Sequence, residues 1–540
     1  MRAQGADAII AFTVETTVLV SPWSLLAPSA ILASAALLAG LSLRLRFLMS
    51  GLLRIVAAIA VAVALLLLRR SGEAYAPLAL FRVGDLTAPI ADLRLTTVTW
   101  SWERLLLVGG LAVILSAPVE DLPACLLVLA AACFSLLASS LSSIALAWFV
   151  TEAALFISAA SGRRASAALG LAAGSTAALA SLYASATSAG IGISQASLSP
   201  LTWLLALGAV ALRLRLWPLS WPSASGPLRA LWFLVGVVTG FAVLGRLAPA
   251  LRPGELPQWA TLVLLLSASG AGVGAWLTRR DRGRSLGWTA AALIALLLVG
   301  EAESPLPPPS AGLAAAGLAA VILYLYLVPP LPSRVTTWLG SPSWLRTAML
   351  LVPAALLLPW PFLPFGKALV QVFALLAAVR PAAAALAVLT AGLATGSLFS
   401  LSRGASPAPS QLRQDFISPI VIAILLVSLA LGLGASSRYA ELIGREQTLA
   451  GLRIASSFSS GALLAWFSIA LAAALALVQH RRWLGSGTFG GTASLGGRLA
   501  SIGRGFIAVM DTGFALIEGE ASLTWATLVG IAILAIAAGL

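Results

Sequence analysis

Residues 142–160 read SSIALAWFVTEAALFISAA, an apolar run of membrane-spanning length with one charged residue, Glu152, near its middle. A hydrocarbon core about 30 Å thick needs about 20 apolar residues per helix. Two helical turns of apolar side chain lie on either side of Glu152, so its carboxylate is poorly placed to snorkel to an interface. A charge in such a position is costly, and by default it marks a transport path or an internal ion pair.

Comparable runs fill the rest of the chain, at about 24–43, 51–68, 104–119, 123–139, 165–187, 200–217, 230–249, 257–277, 286–300 and 310–329. Less separable stretches occupy 345–402, where Pro353, Pro359, Pro361 and Pro364 interrupt the pattern, and further runs lie at 417–435, 459–479 and 522–540. By the length criterion this makes about 14–16 transmembrane helices. Of the 540 residues 60% are hydrophobic and 10% charged, and mean hydropathy is +1.00. Soluble chains carry roughly 25% charged residues, so the expected fold is an all-α integral membrane protein.

The net charge of +14 does not indicate a nucleic-acid partner, because the arginines sit at the ends of apolar runs and form no stripe interleaved with aromatics. They read as retained loops. Arg44 and Arg46, Arg163 and Arg164, and the cluster Arg279, Arg280, Arg282 and Arg284 fall on loops of one parity, whereas Arg69 and Arg70 oppose them. The majority makes that side cytoplasmic and places the N-terminus outside, in a multi-pass cell-membrane protein. Cys125 and Cys133 share one apolar run without metal-ligand or disulfide spacing and read as packing residues. His480, beside Arg481 and Arg482, reads as a solvated helix end.

Residues 1–103 are expected to hold two helices and an extramembrane hairpin at 71–103, where apolar and polar residues alternate around turn residues. Residues 403–540 hold the C-terminal helices. Within them, at about 494–519, Leu495, Leu499, Ile502, Phe506, Val509, Phe514 and Ile517 recur at spacings near a helical turn, with charges between them. That segment reads as a lateral amphipathic helix, or as a connecting loop with chance periodicity, since its glycines weaken a helix.

Arg213 and Arg215 lie in 201–222, LTWLLALGAVALRLRLWPLSWP, beside Pro218 and Pro222, and one of them is a plausible counter-charge for Glu152. A cation beside a buried carboxylate keeps it ionised, and moving the cation away allows it to take up a proton. The same pair can equally be a static bridge that fixes helix packing.

The segment ALRLRLWPLSWPSASGPLRALWFLVGVVTGFAVLGRL, 211–247, resembles the antiporter-like membrane subunits of respiratory complex I and of the multisubunit cation/proton antiporters. In that family an intramembrane lysine precedes a proline break, a Trp-Leu-Pro-like turn, a Gly-Pro and a helix ending in Gly and Arg. Arg213, Pro218, Trp221-Pro222, Gly226-Pro227 and Arg246 stand at those places. WFVTEAALF is similar to the family's glutamate helix, which puts Glu152 in that role. LPWPFLPFGKALVQVFALLAA, 358–378, is similar to a further motif with Lys367 at its end, and Lys367 is the one lysine among 33 basic residues.

The resemblance implies an inverted repeat of two five-helix bundles, at about 104–247 and 257–402, within a core spanning 104–402. It implies a membrane subunit of a redox-driven complex that contributes to proton or cation translocation. Glu152, Arg213 and Lys367 are then the translocation residues, with Arg215 and Arg246 secondary. Other membrane subunits, lipid and, through neighbouring subunits, quinone are the implied partners.

Two departures bear on mechanism. Arginine replaces the lysine, and a guanidinium does not lose its proton in a protein. The run at 310–328, where the family carries a central lysine or histidine, offers only Tyr324 and Tyr326. A subunit that keeps the fold but not conduction, and an unrelated polytopic transporter, are the alternative readings. No iron–sulfur cysteine set, haem motif or nucleotide-binding glycine pattern is present, so the chain supplies no redox cofactor or metal site of its own.

Overall fold

The computed structural model describes residues 18–19, 21–45, 50–70, 74–78, 91–139, 141–159, 172, 174–176, 200–214, 216, 226–247, 258–279, 281–303, 309–327, 352–361, 363–399 and 459–484. Helices dominate them. Those in the first half are α1 (Pro22–Leu45), α2 (Ser50–Arg70), α3 (Thr97–Ser116), α4 (Leu122–Leu137), α5 (Leu141–Ala159), α6 (Pro200–Arg213) and α7 (Gly226–Leu247). The remainder are α8 (Gln258–Leu277), α9 (Arg282–Glu303), α10 (Pro309–Leu327), α11 (Pro364–Val379), α12 (Pro381–Leu398) and α13 (Ser460–Leu484). Eight helices among the described residues are long and apolar enough to cross a membrane, and four more apolar helices are shorter. The amphipathic segment at 494–519, the runs at 417–435 and 522–540, Pro218 and Arg215 lie outside the described residues.

Outer helices show one apolar face to the surroundings. Leu37 and Leu41 on α1, Ile55 and Ile59 on α2, Trp259 and Leu262 on α8, and Leu463 and Phe467 on α13 are all exposed. Contiguous apolar surface of this kind is a liability in water and is matched by lipid tails in a bilayer. By contrast α7, α9 and α10 are buried almost all round. The chain is therefore a multi-pass membrane protein with central and lipid-facing helices.

In the first half α3 packs on α2, α4 and α7, α1 packs on α4, and α4 also meets α5. Gly109 and Gly110 permit this centre: a Cβ on Gly109 would crowd Leu234 of α7 and Leu323 of α10, and one on Gly110 would crowd Leu129 of α4. In the second half α8, α9 and α12 pack together, α11 packs on α10, and α13 lies along α11 and α12. The α7–α10 and α3–α10 contacts join the two halves.

The expected hairpin is present but shorter than 71–103. Strands β2 (Ala74–Leu78) and β3 (Ala91–Leu95) pair antiparallel from Ala74 opposite Leu95 to Leu78 opposite Ala91, and β1 (Val18–Leu19) adds a parallel strand against β2. Residues 97–103, expected outside the membrane core, belong instead to α3. The cause is a capping box: Thr96 Oγ1 accepts from the Thr99 amide at 3.2 Å, and the Thr96 amide donates to Thr99 Oγ1 at 2.7 Å. The basic cluster after α8 also divides, with Arg279 in a turn and Arg282 and Arg284 in the first turn of α9.

The proline-rich stretch resolves into a helical turn at 352–356, an irregular break and then α11, with Pro364 at its first position, where a missing N–H costs nothing. Leu363 donates to the Trp360 carbonyl at 3.1 Å, and Lys367 donates its amide to the Leu363 carbonyl at 2.8 Å. The Trp360 ring meets Trp466 of α13 edge to face at 5.7 Å. A Cβ on Gly366 would overlap the backbone of Trp360. Gly366→Ala is expected to destabilise the folded chain by at least about 3 kcal/mol in denaturant unfolding. Gly208→Ala, on α6 with open space around it, should be neutral or stabilising by up to about 1 kcal/mol. Equal effects at the two sites would mean that Gly366 is not fixed by this contact.

Candidate functional site: a buried arginine–glutamate pair

On α5, Trp148 and Glu152 are one turn apart and share a face. Thr151 Oγ1 is within reach of the Ala147 carbonyl at 2.8 Å and the Ala131 carbonyl of α4 at 3.2 Å, and its one proton is shared between α5 and α4. α6 stops at Arg213. Leu214 donates to the Val210 carbonyl at 2.8 Å and Leu216 to the Ala211 carbonyl at 3.1 Å, after which α7 begins at Gly226. The guanidinium therefore sits at a helix C-terminus, where the backbone dipole favours a cation.

The Arg213 side chain is wholly buried and the Glu152 side chain nearly so, and Arg213 Nε lies 2.7 Å from Glu152 Oε1. Each of the other two guanidinium nitrogens has a partner: Nη1 donates to Thr239 Oγ1 of α7 at 3.0 Å and Nη2 to the Trp148 carbonyl at 3.0 Å. The guanidinium also stacks on the Trp148 ring, 3.3 Å from its centroid. Ser175 Oγ is within reach of Glu152 Oε1 at 3.2 Å and the Ala209 carbonyl at 3.3 Å, and it accepts from Trp148 Nε1 at 2.6 Å. A hydroxyl has a single proton to donate. Ser175 therefore divides that proton between the carboxylate and the end of α6.

The sequence-expected pair of Glu152 and Arg213 is thus assembled from α5, α6 and α7. Lys367 is not part of it. Lys367 lies half-buried in the first turn of α11, whose main neighbours are α9, α10, α12 and α13. Arg246 lies on α7, near its end. Trp148, Ser175 and Thr239 were not singled out from the sequence. Trp148 carried a signal in its spacing from Glu152, whereas Ser175 and Thr239 are small polar residues in apolar runs. In the second half Glu303 of α9 stands 3.9 Å from Arg380, at the junction of α11 and α12. Ser175→Ala should leave the Trp148 indole N–H without an acceptor and destabilise the chain by about 1–3 kcal/mol in denaturant unfolding. Wild-type stability would show that the hydroxyl has no part in holding the pair.

A helix that stops inside a packed bundle, with a buried arginine–carboxylate pair at its end, defines the class: a multi-pass α-helical membrane protein with an internal charged centre. Solved structures place the fold more narrowly. The chain is similar to one in the Mrp complex from Dietzia sp. DQ12-45-1b, with a TM-score of 0.65 and 17% identity over 95% of this chain and 62% of that one. It thus spans less than two thirds of that protein's length. It is also similar to a chain of the membrane-bound sulfane sulfur reductase, an archaeal respiratory membrane complex, with a TM-score of 0.58 and 15% identity over 96% of this chain and 99% of that one. A chain of respiratory complex I from Thermus thermophilus with bound NADH matches with a TM-score of 0.56 and 16% identity, covering 84% of this chain and 99% of its own. No protein-family model matches the sequence, and no curated protein sequence matches it. These likenesses show a fold shared with chains of the Mrp complex, the sulfane sulfur reductase and respiratory complex I.

Proposed function

We propose that this chain is a membrane subunit of a complex I-like or related redox-driven complex and contributes to proton or cation translocation. The observation that carries the reading is the buried Glu152–Arg213 pair at the end of α6, in a fold shared with chains of Mrp and respiratory complexes. Charges inside a bilayer mark an ion path or an internal pair, and a helix that ends within a bundle leaves backbone carbonyls to be satisfied there. Lys367, at the second helix break, is the group that can release a proton. The redox step belongs to partner subunits, with quinone bound among them. The inverted repeat of 104–247 and 257–402, the outside N-terminus and the cell-membrane location belong to the same reading.

A second reading, a structural subunit that no longer conducts, is supported by the way Arg213 is held. Every guanidinium nitrogen has a protein partner. Isolation of the tagged chain from its native membrane in mild detergent tests both readings at their common root. Co-purification in fixed stoichiometry with other multi-pass subunits, and proton uptake by reconstituted vesicles only during redox turnover, are expected. A chain that purifies alone and moves ions without partners would overturn the assignment.

A further inference from the structure

Glu103 lies in the second turn of α3 and is completely buried, and neither of its carboxylate oxygens has a hydrogen-bond partner among the described residues. No arrangement like that around Glu152 surrounds it. Its adjacent cation, Arg104, is turned to the Trp100 ring, with its guanidinium carbon 5.3 Å from the centroid. On α4 the neighbouring titratable group is the Cys133 thiol, which lies beside the carboxyl but outside hydrogen-bond geometry. On α2, which runs antiparallel to α3, Arg54 is at the opposite end, where it donates to the Ala117 carbonyl at 3.0 Å, and Arg69 and Arg70 close the helix at the near end. α10 runs parallel to α3, as the Gly312–Trp102 and Leu323–Gly109 contacts show, so Tyr324 and Tyr326 are also at the far end. On α7, Arg229 is at the far end and Thr239 is engaged by Arg213. Arg246 is the basic residue toward the near end of α7.

A carboxylate without donors in an apolar interior carries an uncompensated desolvation cost that binding one proton removes. We propose that Glu103 is a proton-binding site of the first half of the chain, occupied by one proton in the resting protein and separate from the Glu152–Arg213 pair. α4 stands between the two carboxyls. Its Cys133 is beside Glu103, and its Ala131 carbonyl accepts from Thr151, the residue before Glu152. Glu152 is paired with Arg213, whereas Glu103 is a buried acid in this half whose carboxyl oxygens have no hydrogen-bond partner, so it is placed to hold a proton. Any transport role for that proton rests on the ion-translocating reading, but proton occupancy does not.

Infrared difference spectroscopy of the full chain in lipid nanodiscs, at neutral pH, separates the two. Comparison of wild type with Glu103→Gln should show the loss of one protonated-acid C=O band, at the high-frequency position of an acid with weak hydrogen bonding. Glu103→Asp should shift that band, and Cys133→Ala should move it in a chain that still folds. In a Cys125→Ala background the remaining S–H band reports Cys133 and should shift on Glu103→Gln. Loss of an ionised-carboxylate band, or no change in the acid region for either Glu103 variant, would overturn the proposal whatever the complex transports. A confirmed acid band in a complex that moves no protons would leave the site standing and sink only the transport reading.

Discussion

Arg213→Met is expected to destabilise the folded chain by about 3–5 kcal/mol, the range for removing one partner of a buried ion pair. The substitution keeps much of the aliphatic stem and removes every donor. Glu152 would be left buried with the shared Ser175 hydroxyl, while Thr239 and the Trp148 carbonyl would each lose a partner. The double variant Glu152→Gln/Arg213→Met removes the charge that the single variant strands, so it should recover at least half of the loss. Denaturant unfolding of wild type, both single variants and the double variant completes the cycle. A single-variant loss under about 1 kcal/mol would give the pair no more weight than an exposed salt bridge.

How far the sequence carried this site follows from the cost of isolated charge. Glu152 and Arg213 each interrupt a long apolar run, and two opposite charges in lipid-embedded helices are driven to meet. Their pairing was legible for that reason. Ser175 was not, because one serine among alanines and glycines looks the same whether it braces a carboxylate or faces a neighbouring helix. α3 was misplaced at its start because Glu103 and Arg104 side by side look like the last residues in water. In the folded chain Arg104 turns to Trp100, Glu103 is buried, and the Thr96–Thr99 capping box starts the helix directly after β3. Prolines located the break before α11. The register of that helix depends on the Leu363–Trp360 and Lys367–Leu363 hydrogen bonds, which no proline pattern encodes. Glu303 and Arg380 stand far apart in sequence, one near a helix end and the other between α11 and α12, where charges ordinarily meet water.

The last expectation concerns conduction. A lysine's ammonium can release its proton when buried, whereas a guanidinium keeps its charge. Arg213, held at all three nitrogens, therefore keeps its charge beside Glu152 and cannot pass a proton onward. On the proposed ion-translocating reading, conduction runs by other groups, with Lys367 at the break before α11 the foremost of them. In a reconstituted complex turning over on its redox substrate, Lys367→Met should reduce proton uptake about tenfold or more, which is at least about 1.4 kcal/mol on the rate-limiting barrier. Glu152→Gln should leave uptake per assembled complex close to wild type while weakening assembly, because its effect is on the pair and not on a relay. Arg213→Lys adds a sharper arm: it restores a group that can deprotonate and removes the stacked, three-way contact, so it should lower stability and leave pumping unimpaired. Abolition of pumping by Glu152→Gln, with assembly and redox turnover intact, would show that the carboxylate exchanges protons and that the pair is not locked. Normal pumping in both the Glu152 and Lys367 variants, with assembly impaired only in the first, would make this chain a structural subunit whose ion pair joins α5, α6 and α7.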